Sequence, residues 1–305
     1  MKIVVAGGTG FLGRPLVEAL AADRHEVIVL TRNGAATPPP GGARAVQWLP
    51  NGDTGPWAAA LDGAGAIVNL AGESIAARRW SAEHKRRILD SRVNATHSLV
   101  GAIGAAAAPP SVFVSGSAVG YYGPLGDEIA TEITPAGSDF LARVCAQWEA
   151  EANRASSPQT RVVCIRTGLV LEKDGGALPQ MLPPFKLGAG GPVGSGRQYW
   201  PWIHRADWIG LVRWTLQTAA ASGPINATAP NPVTNKEFAR TLGRALHRPA
   251  FMPAPAFALR LMLGEMADAL LLSGQRAVPA KAQRLGFTFR YTDLETALRS
   301  IFDRV

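Results

Sequence analysis

The apolar run Ile3-Val4-Val5-Ala6 leads directly into Gly7-Gly8-Thr9-Gly10-Phe11-Leu12-Gly13, after which Leu16, Val17 and Leu20 extend the apolar stripe of Phe11 and Leu12 at helical spacing. Strand, GxxGxxG turn and amphipathic helix in this order are the parts of a dinucleotide-binding βα unit. One glycine permits the tight turn, a second lets backbone approach a pyrophosphate, and the last lets the helix sit close on the sheet. The helix start then presents free N–H groups and its positive dipole end to phosphate oxygens. An ordinary Gly-rich turn could carry the same glycines. The agreement of strand, spacing and helix favours a dinucleotide held by Gly7, Thr9, Gly10, Phe11, Leu12 and Gly13.

Further strand-length apolar runs occur at 27–31, 45–48, 66–70, 112–115, 162–166 and 224–228, several of them separated by helix-period segments at 81–106, 140–154, 208–220 and 235–246. Continuous apolarity marks strands buried on both faces, so the fold class is α/β: a Rossmann-type parallel sheet with helices on both faces. The Gly/Pro-rich stretch 175–201 has no clear period and carries Arg197, Tyr199 and Trp200, as expected of a loop or lid over a pocket. The expected division is a dinucleotide-binding domain of residues 1–172 and about 206–229, and a smaller C-terminal substrate lobe of 173–205 and 230–305. Within that lobe, 256–272 reads as one amphipathic helix interrupted by Arg260, Glu265 and Asp268, and not as a membrane span.

The net charge of +8 raises nucleic acid as a partner, yet the basic residues are mostly Arg, are spread along the chain, and belong to no recognisable nucleic-acid module. Phosphate-bearing small molecules suit this charge better. The densest basic run, His84 to Arg87, reads as a solvated helix face. Cys145 and Cys164 form no CxxC and have no nearby His, so no metal is expected and both read as buried thiols. With no signal-peptide pattern at the start, a cytoplasmic location is expected.

The second strand ends Leu30-Thr31-Arg32-Asn33, without the acidic residue that would bond the ribose 2′-hydroxyl of NAD. Arg32 can offer charge-assisted bonds to a 2′-phosphate, so NADP(H) is the expected cofactor. Arg92 shares a stripe with Ile88, Ala95, Leu99 and Ile103, and an Arg on an inward stripe needs a partner. A cofactor phosphate and a buried carboxylate serve equally well at this point.

With these residues in hand, the chain resembles the extended, or atypical, short-chain dehydrogenase/reductases, the group that includes sugar-nucleotide epimerases and dehydratases. It is most similar to an epimerase-like subfamily with a distinct C-terminal domain. The segments that carry the resemblance are GGTGFLG at 7–13, NLAGE at 69–73, SGSAVGYYG at 115–123, WEAEA at 148–152, IRTGLVL at 165–171, GSGRQYWPWIH at 194–204 and LSGQRAVPAKAQRLGFTFRY at 272–291. The resemblance implies a cofactor site including Thr31, Arg32, the turn of Leu70, Ala71, Gly72 and Glu73, then Arg92, Ser115 and Arg166. It places Ser117 at the family's catalytic Ser, where a turn hydroxyl bonding local backbone is the competing reading. Arg197 falls in a loop that faces substrate phosphate in sugar-nucleotide enzymes.

One departure stands out. The family moves a proton with Tyr-x-x-x-Lys on one helix, whereas the corresponding helix here begins Phe140-Leu141-Ala142-Arg143-Val144. No other Tyr is followed four residues later by Lys, and an unassisted phenol near pKa 10 is a poor base at neutral pH. Alternative proton carriers are Tyr121 or Tyr122, Glu73 and His204, each with a structural reading beside it: ring packing, capping a helix or pairing with Arg78 or Arg79, and a bonded His. Two functions therefore stay open. One is an NADP(H)-dependent oxidoreductase or epimerase-like enzyme acting on a small substrate, phosphate-bearing or sugar-like; the other is a non-catalytic NADP(H)-binding sensor or scaffold.

Overall fold

The computed structural model describes residues 1–32 and 39–303, so Asn33 lies outside the described residues. All seven apolar runs become strands of one parallel sheet: β1 (Lys2–Ala6), β2 (Glu26–Thr31), β3 (Arg44–Gln47), β4 (Ala66–Asn69), β5 (Val112–Ala118), β6 (Arg161–Thr167) and β7 (Gly223–Ala227). Their order is β7-β6-β5-β4-β1-β2-β3. The winding reverses between β1 and β4, which opens a crevice at the carboxyl ends of those two strands. Among the described residues the α-helices of five residues or more are α1 (Gly13–Ala22), α2 (Ala82–Ala105), α3 (Phe140–Asn153), α4 (Leu178–Lys186), α5 (Arg205–Gln217), α6 (Asn235–Ala245), α7 (Ala256–Leu263), α8 (Ala280–Arg284) and α9 (Leu294–Phe302).

Alternate residues of each strand enter different cores. Ile3, Val5, Val68, Val114 and Ile165 pack with Leu16, Val17 and Leu20 of α1 and with Trp208, Leu211 and Val212 of α5. Val4, Ile67, Phe113 and Cys164 pack with Ala95, Leu99 and Ile103 of α2 and Ala152 of α3. Both faces are thus covered, as uninterrupted apolarity requires. Helix starts follow their sequence signals: the Ser81 hydroxyl accepts from the His84 N–H at 3.1 Å, and the Asp139 carboxylate accepts from the Ala142 N–H at 2.7 Å.

The smaller lobe has its own core, in which Leu178, Leu182, Trp200, Phe238, Leu242 and Leu298 meet. The stretch 175–201 is not wholly irregular, because it contains α4 despite Pro183 and Pro184. Leu178, Leu182 and Phe185 recur at helical spacing and are buried, and the prolines hid that pattern. The expected single helix over 256–272 is also broken. Gly264 adopts a left-handed φ of 62°, ending α7, and a π-helical turn over Asp268–Leu272 follows. The chain after residue 230 is shared between the two units, since Ala282 and Phe289 lie in the sheet's core. Asp207 of α5 ties the tail down by accepting the Arg290 and Tyr291 N–H groups, each at 2.8 Å, and its burial raises its pKa. Among the described residues no helix is long and apolar enough to cross a membrane.

Candidate dinucleotide site

The glycine turn sits where the winding reverses. Gly7 has a φ of 78°, and a Cβ there would stand 2.7 Å from the Leu70 carbonyl carbon, so the β1 and β4 turns touch through it. A Cβ on Gly13 would lie 2.1 Å from the Gly7 carbonyl oxygen, whereas one on Gly10 would meet nothing nearer than 3.4 Å. Gly13 is therefore required by the protein's own backbone, and Gly10 leaves open space. Close packing of α1 on the sheet falls to Gly8 as well, whose Cβ would meet Val29 at 2.9 Å and Val17 at 3.1 Å. No side chain caps α1 and no acidic residue occupies its first turn, so nothing competes with an anion there. Thr9 and Gly10 are exposed at the turn. Phe11 packs against Gly175 and Gly176, with the Arg205 guanidinium 5.4 Å from its ring, and Leu12 packs on the sheet's core.

Around this turn, Thr31 ends β2 half-buried and Arg32 is exposed, with its carbonyl accepting from Gln47 Nε2 at 3.3 Å. At the end of β4 the buried Asn69 accepts from the Ala71 N–H at 3.1 Å and donates to Thr96 Oγ1 at 2.9 Å, fixing the path of Leu70 and Ala71. Gly72 lies against Arg92, since a Cβ there would meet the Arg92 side chain at 3.2 Å. The Arg92 guanidinium donates to the Ile88 carbonyl at 2.9 Å and lies 5.3 Å from the Trp148 ring. Among the described residues no carboxylate pairs with it, and burial lowers its pKa. Of the two partners considered for Arg92, the carboxylate is not in ion-pair contact among the described residues, although Glu73 lies near enough to oppose the shift.

Glu73 is committed elsewhere: it pairs with Arg87 at 3.0 Å and Arg78 at 3.8 Å, and its N–H bonds Ser91 Oγ at 3.0 Å. Arg79, the other pairing considered, lies beside Gly264 of the C-terminal lobe. His84 corrects the reading of the basic run as wholly solvated. It is 2% exposed and turned inward, with Nδ1 3.5 Å from Glu73 Oε1.

Of the residues grouped by resemblance near β5 and β6, Ser117 and Arg166 are register partners that meet at one carboxylate, Glu149, whereas Ser115 bonds local backbone. Ser115 is buried, with its hydroxyl donating to the Gly116 carbonyl at 3.3 Å. Ser117 donates to Glu149 Oε1 at 2.7 Å. Arg166 is also buried: it forms a bidentate pair with Glu149, both bonds at 2.8 Å, donates to the Tyr122 hydroxyl at 3.0 Å and the Glu132 carbonyl at 3.3 Å, and lies 3.5 Å from the Tyr121 ring centroid. These bonds occupy Arg166 inside the fold. A buried pair of this kind costs about 3–5 kcal/mol when one partner is removed. Tyr122 is 1% exposed, and its hydroxyl also donates to Asn226 Oδ1 at 2.6 Å. Burial pushes its pKa up to about 12, with Arg166 opposing the shift, so it is not free to exchange a proton. His204 caps α5 by accepting the Ala206 N–H at 3.0 Å and stacks 4.1 Å from Tyr291, which matches the bonded-His reading.

Glu149, Glu132, Asn226 and Trp148 were not singled out one by one from the sequence, and the structure puts them in the contacts around Arg166, Tyr122 and Arg92. Trp148 and Glu149 had left a trace in the sequence, as the start of the WEAEA segment, and both lie on the inward side of α3. At the relay position, Phe140 lies edge-on to Trp80 with centroids 5.0 Å apart, Lys85 Nζ is 5.1 Å from its ring, and Val144 is buried. Lys85 in turn pairs with Glu265 of the C-terminal lobe.

Residues 3–227 match the model of the NAD-dependent epimerase/dehydratase family. The chain belongs to this family. Residues 254–301 match a second model, a domain of unknown function (DUF1731), so the epimerase-like resemblance with a distinct C-terminal domain is borne out. An epimerase family protein from Arabidopsis thaliana, a chloroplastic SDR39U1 homologue, is 43% identical over 99% of this chain and 86% of its own length. An epimerase family protein of Mycobacterium leprae is 39% identical over 97% of this chain and 94% of its own. The crystal structure of human SDR39U1 with NADPH superposes with a TM-score of 0.90 at 38% identity, covering all of both chains.

Proposed function

We propose that this epimerase-family chain binds NADP(H) at the α1 turn and uses it on a small substrate whose proton does not pass through α3. Arg92 carries the reading: a half-buried guanidinium beside the β4 turn, with one carbonyl as its hydrogen-bond partner and no paired carboxylate among the described residues, is built to receive a phosphate. The NADPH bound by the human relative supports the choice of cofactor. Gly7, Gly10 and the uncapped α1 start would hold the pyrophosphate, and Arg32 would meet the 2′-phosphate. When bound, the nicotinamide supplies or takes up hydride. Ser117 is buried and donates to Glu149, and Phe140 and Val144 can hold no proton.

Titration calorimetry tests this. NADPH should bind roughly tenfold or more tightly than NADH, and Arg32→Ala should remove most of that gap by deleting a phosphate contact of about 1.5–3 kcal/mol. Equal affinities in the parent protein would overturn it. The double commitment of Tyr122, with Phe140 at the relay position, also favours a second reading as a non-catalytic NADP(H) sensor or scaffold. Single-turnover oxidation of bound NADPH across carbonyl and sugar-nucleotide compounds separates the two, since a sensor oxidises none.

A further inference from the structure

A cavity of about 620 Å³ lies in the smaller lobe between α6, α9 and the turn after α6, and none of its lining residues belongs to the dinucleotide site. Arg240, Arg244 and Arg248 follow one another at four-residue spacing along α6 and past its end, and Arg299 faces them from α9. One carboxylate, Glu295, answers this group, and Arg244 and Arg299 share it at 3.0 and 2.6 Å. Arg240 and Arg248 have no ion-pair partner among the described residues. The α6 carboxyl end adds only about half a negative charge, so the four guanidinium groups outweigh it and Glu295 together.

The turn is built rather than frayed. The Arg248 N–H bonds the Gly243 carbonyl at 2.9 Å and the His247 N–H bonds the Arg244 carbonyl at 3.1 Å, the two bonds of a Schellman closure. His247 takes the left-handed residue with a φ of 52°, where glycine is usual. Gly243 makes the closure possible, because a Cβ there would stand 2.5 Å from Ala250 Cβ. The result folds Arg248 and Phe251 back over α6, and Phe251 forms part of the wall while remaining 74% exposed.

We propose that this cavity is a second, nucleoside polyphosphate site, distinct from the dinucleotide site. Guanidinium forks match phosphate oxygens in pairs, a cavity of this volume suits a nucleotide-sized ligand, and an exposed aromatic wall offers a stacking face for a base.

The test uses the full chain saturated with NADPH, so that no probe enters the dinucleotide site. Calorimetric titration with ATP and with inorganic tripolyphosphate should give binding of both, with ATP roughly tenfold tighter. Arg240→Gln with Arg248→Gln should weaken both probes roughly tenfold or more and leave NADPH affinity unchanged, and Phe251→Ala should bring ATP to the level of tripolyphosphate. These two arginines are exposed and unpaired, so folding is not at stake. The proposal is overturned by no binding of either probe up to about 1 mM, by ATP binding unchanged in the double variant, by parity of ATP and tripolyphosphate in the parent, or by tighter binding of a single-stranded oligonucleotide than of ATP.

Discussion

Replacing Arg92 with Met should separate cofactor binding from stability, with the two moving in different directions. The guanidinium is half-buried, makes one hydrogen bond to the Ile88 carbonyl and lies 5.3 Å from the Trp148 ring. A thioether of similar length keeps the ring contact and removes a cation whose burial already lowers its pKa. The free protein should therefore unfold at the same denaturant midpoint or a higher one. Loss of a charge-assisted phosphate contact of about 1.5–3 kcal/mol should weaken NADPH by roughly ten- to a hundredfold. At a ligand concentration about 100 times the parent Kd, the stability gained from NADPH should fall from about 2.7 kcal/mol to between about 1.4 and 0.4 kcal/mol. Urea unfolding followed by circular dichroism, with and without NADPH, reads both quantities at once. A free variant destabilised by several kcal/mol that keeps its full gain from NADPH would refute the phosphate assignment and make Arg92 a structural cation.

The glycines of the turn should respond in opposite ways. Gly10→Val should fold and lose cofactor, because its side chain enters open space in front of α1, while Gly13→Ala should lower stability outright, because its Cβ meets the Gly7 oxygen at 2.1 Å; thermal melts beside NADPH titrations distinguish them. Tyr122, with a pKa near 12 in the fold against about 10 unfolded, holds its proton in the native state across that interval. Its contribution is whole below pH 10 and falls as pH rises toward 12, by about 3 kcal/mol in all. Tyr122→Phe should flatten this part of the stability profile, and an ultraviolet titration in which all four tyrosines ionise together near pH 10 would contradict the burial argument.

The seven strands, the main helices of the sheet domain and the glycine turn were legible in the chain because each rests on local periodicity, and burial on both faces of a parallel sheet leaves the same apolar run wherever the strand lies in the sheet order. Arg92 was legible as an inward cation, for the same reason, but its partner was not. Tertiary structure decided that among the described residues no carboxylate forms an ion pair with it, while Glu149, 17 residues before Arg166 and on a different element, takes up Arg166 and Ser117. It likewise turned His84 inward beside Glu73, engaged Tyr122 with Asn226 across 104 residues, and formed α4 around two prolines because the lobe's core buries Leu178, Leu182 and Phe185. A hydrogen bond between side chains distant in sequence leaves no period to read, and burial of an apolar face outweighs the local cost of proline where the core is there to receive it.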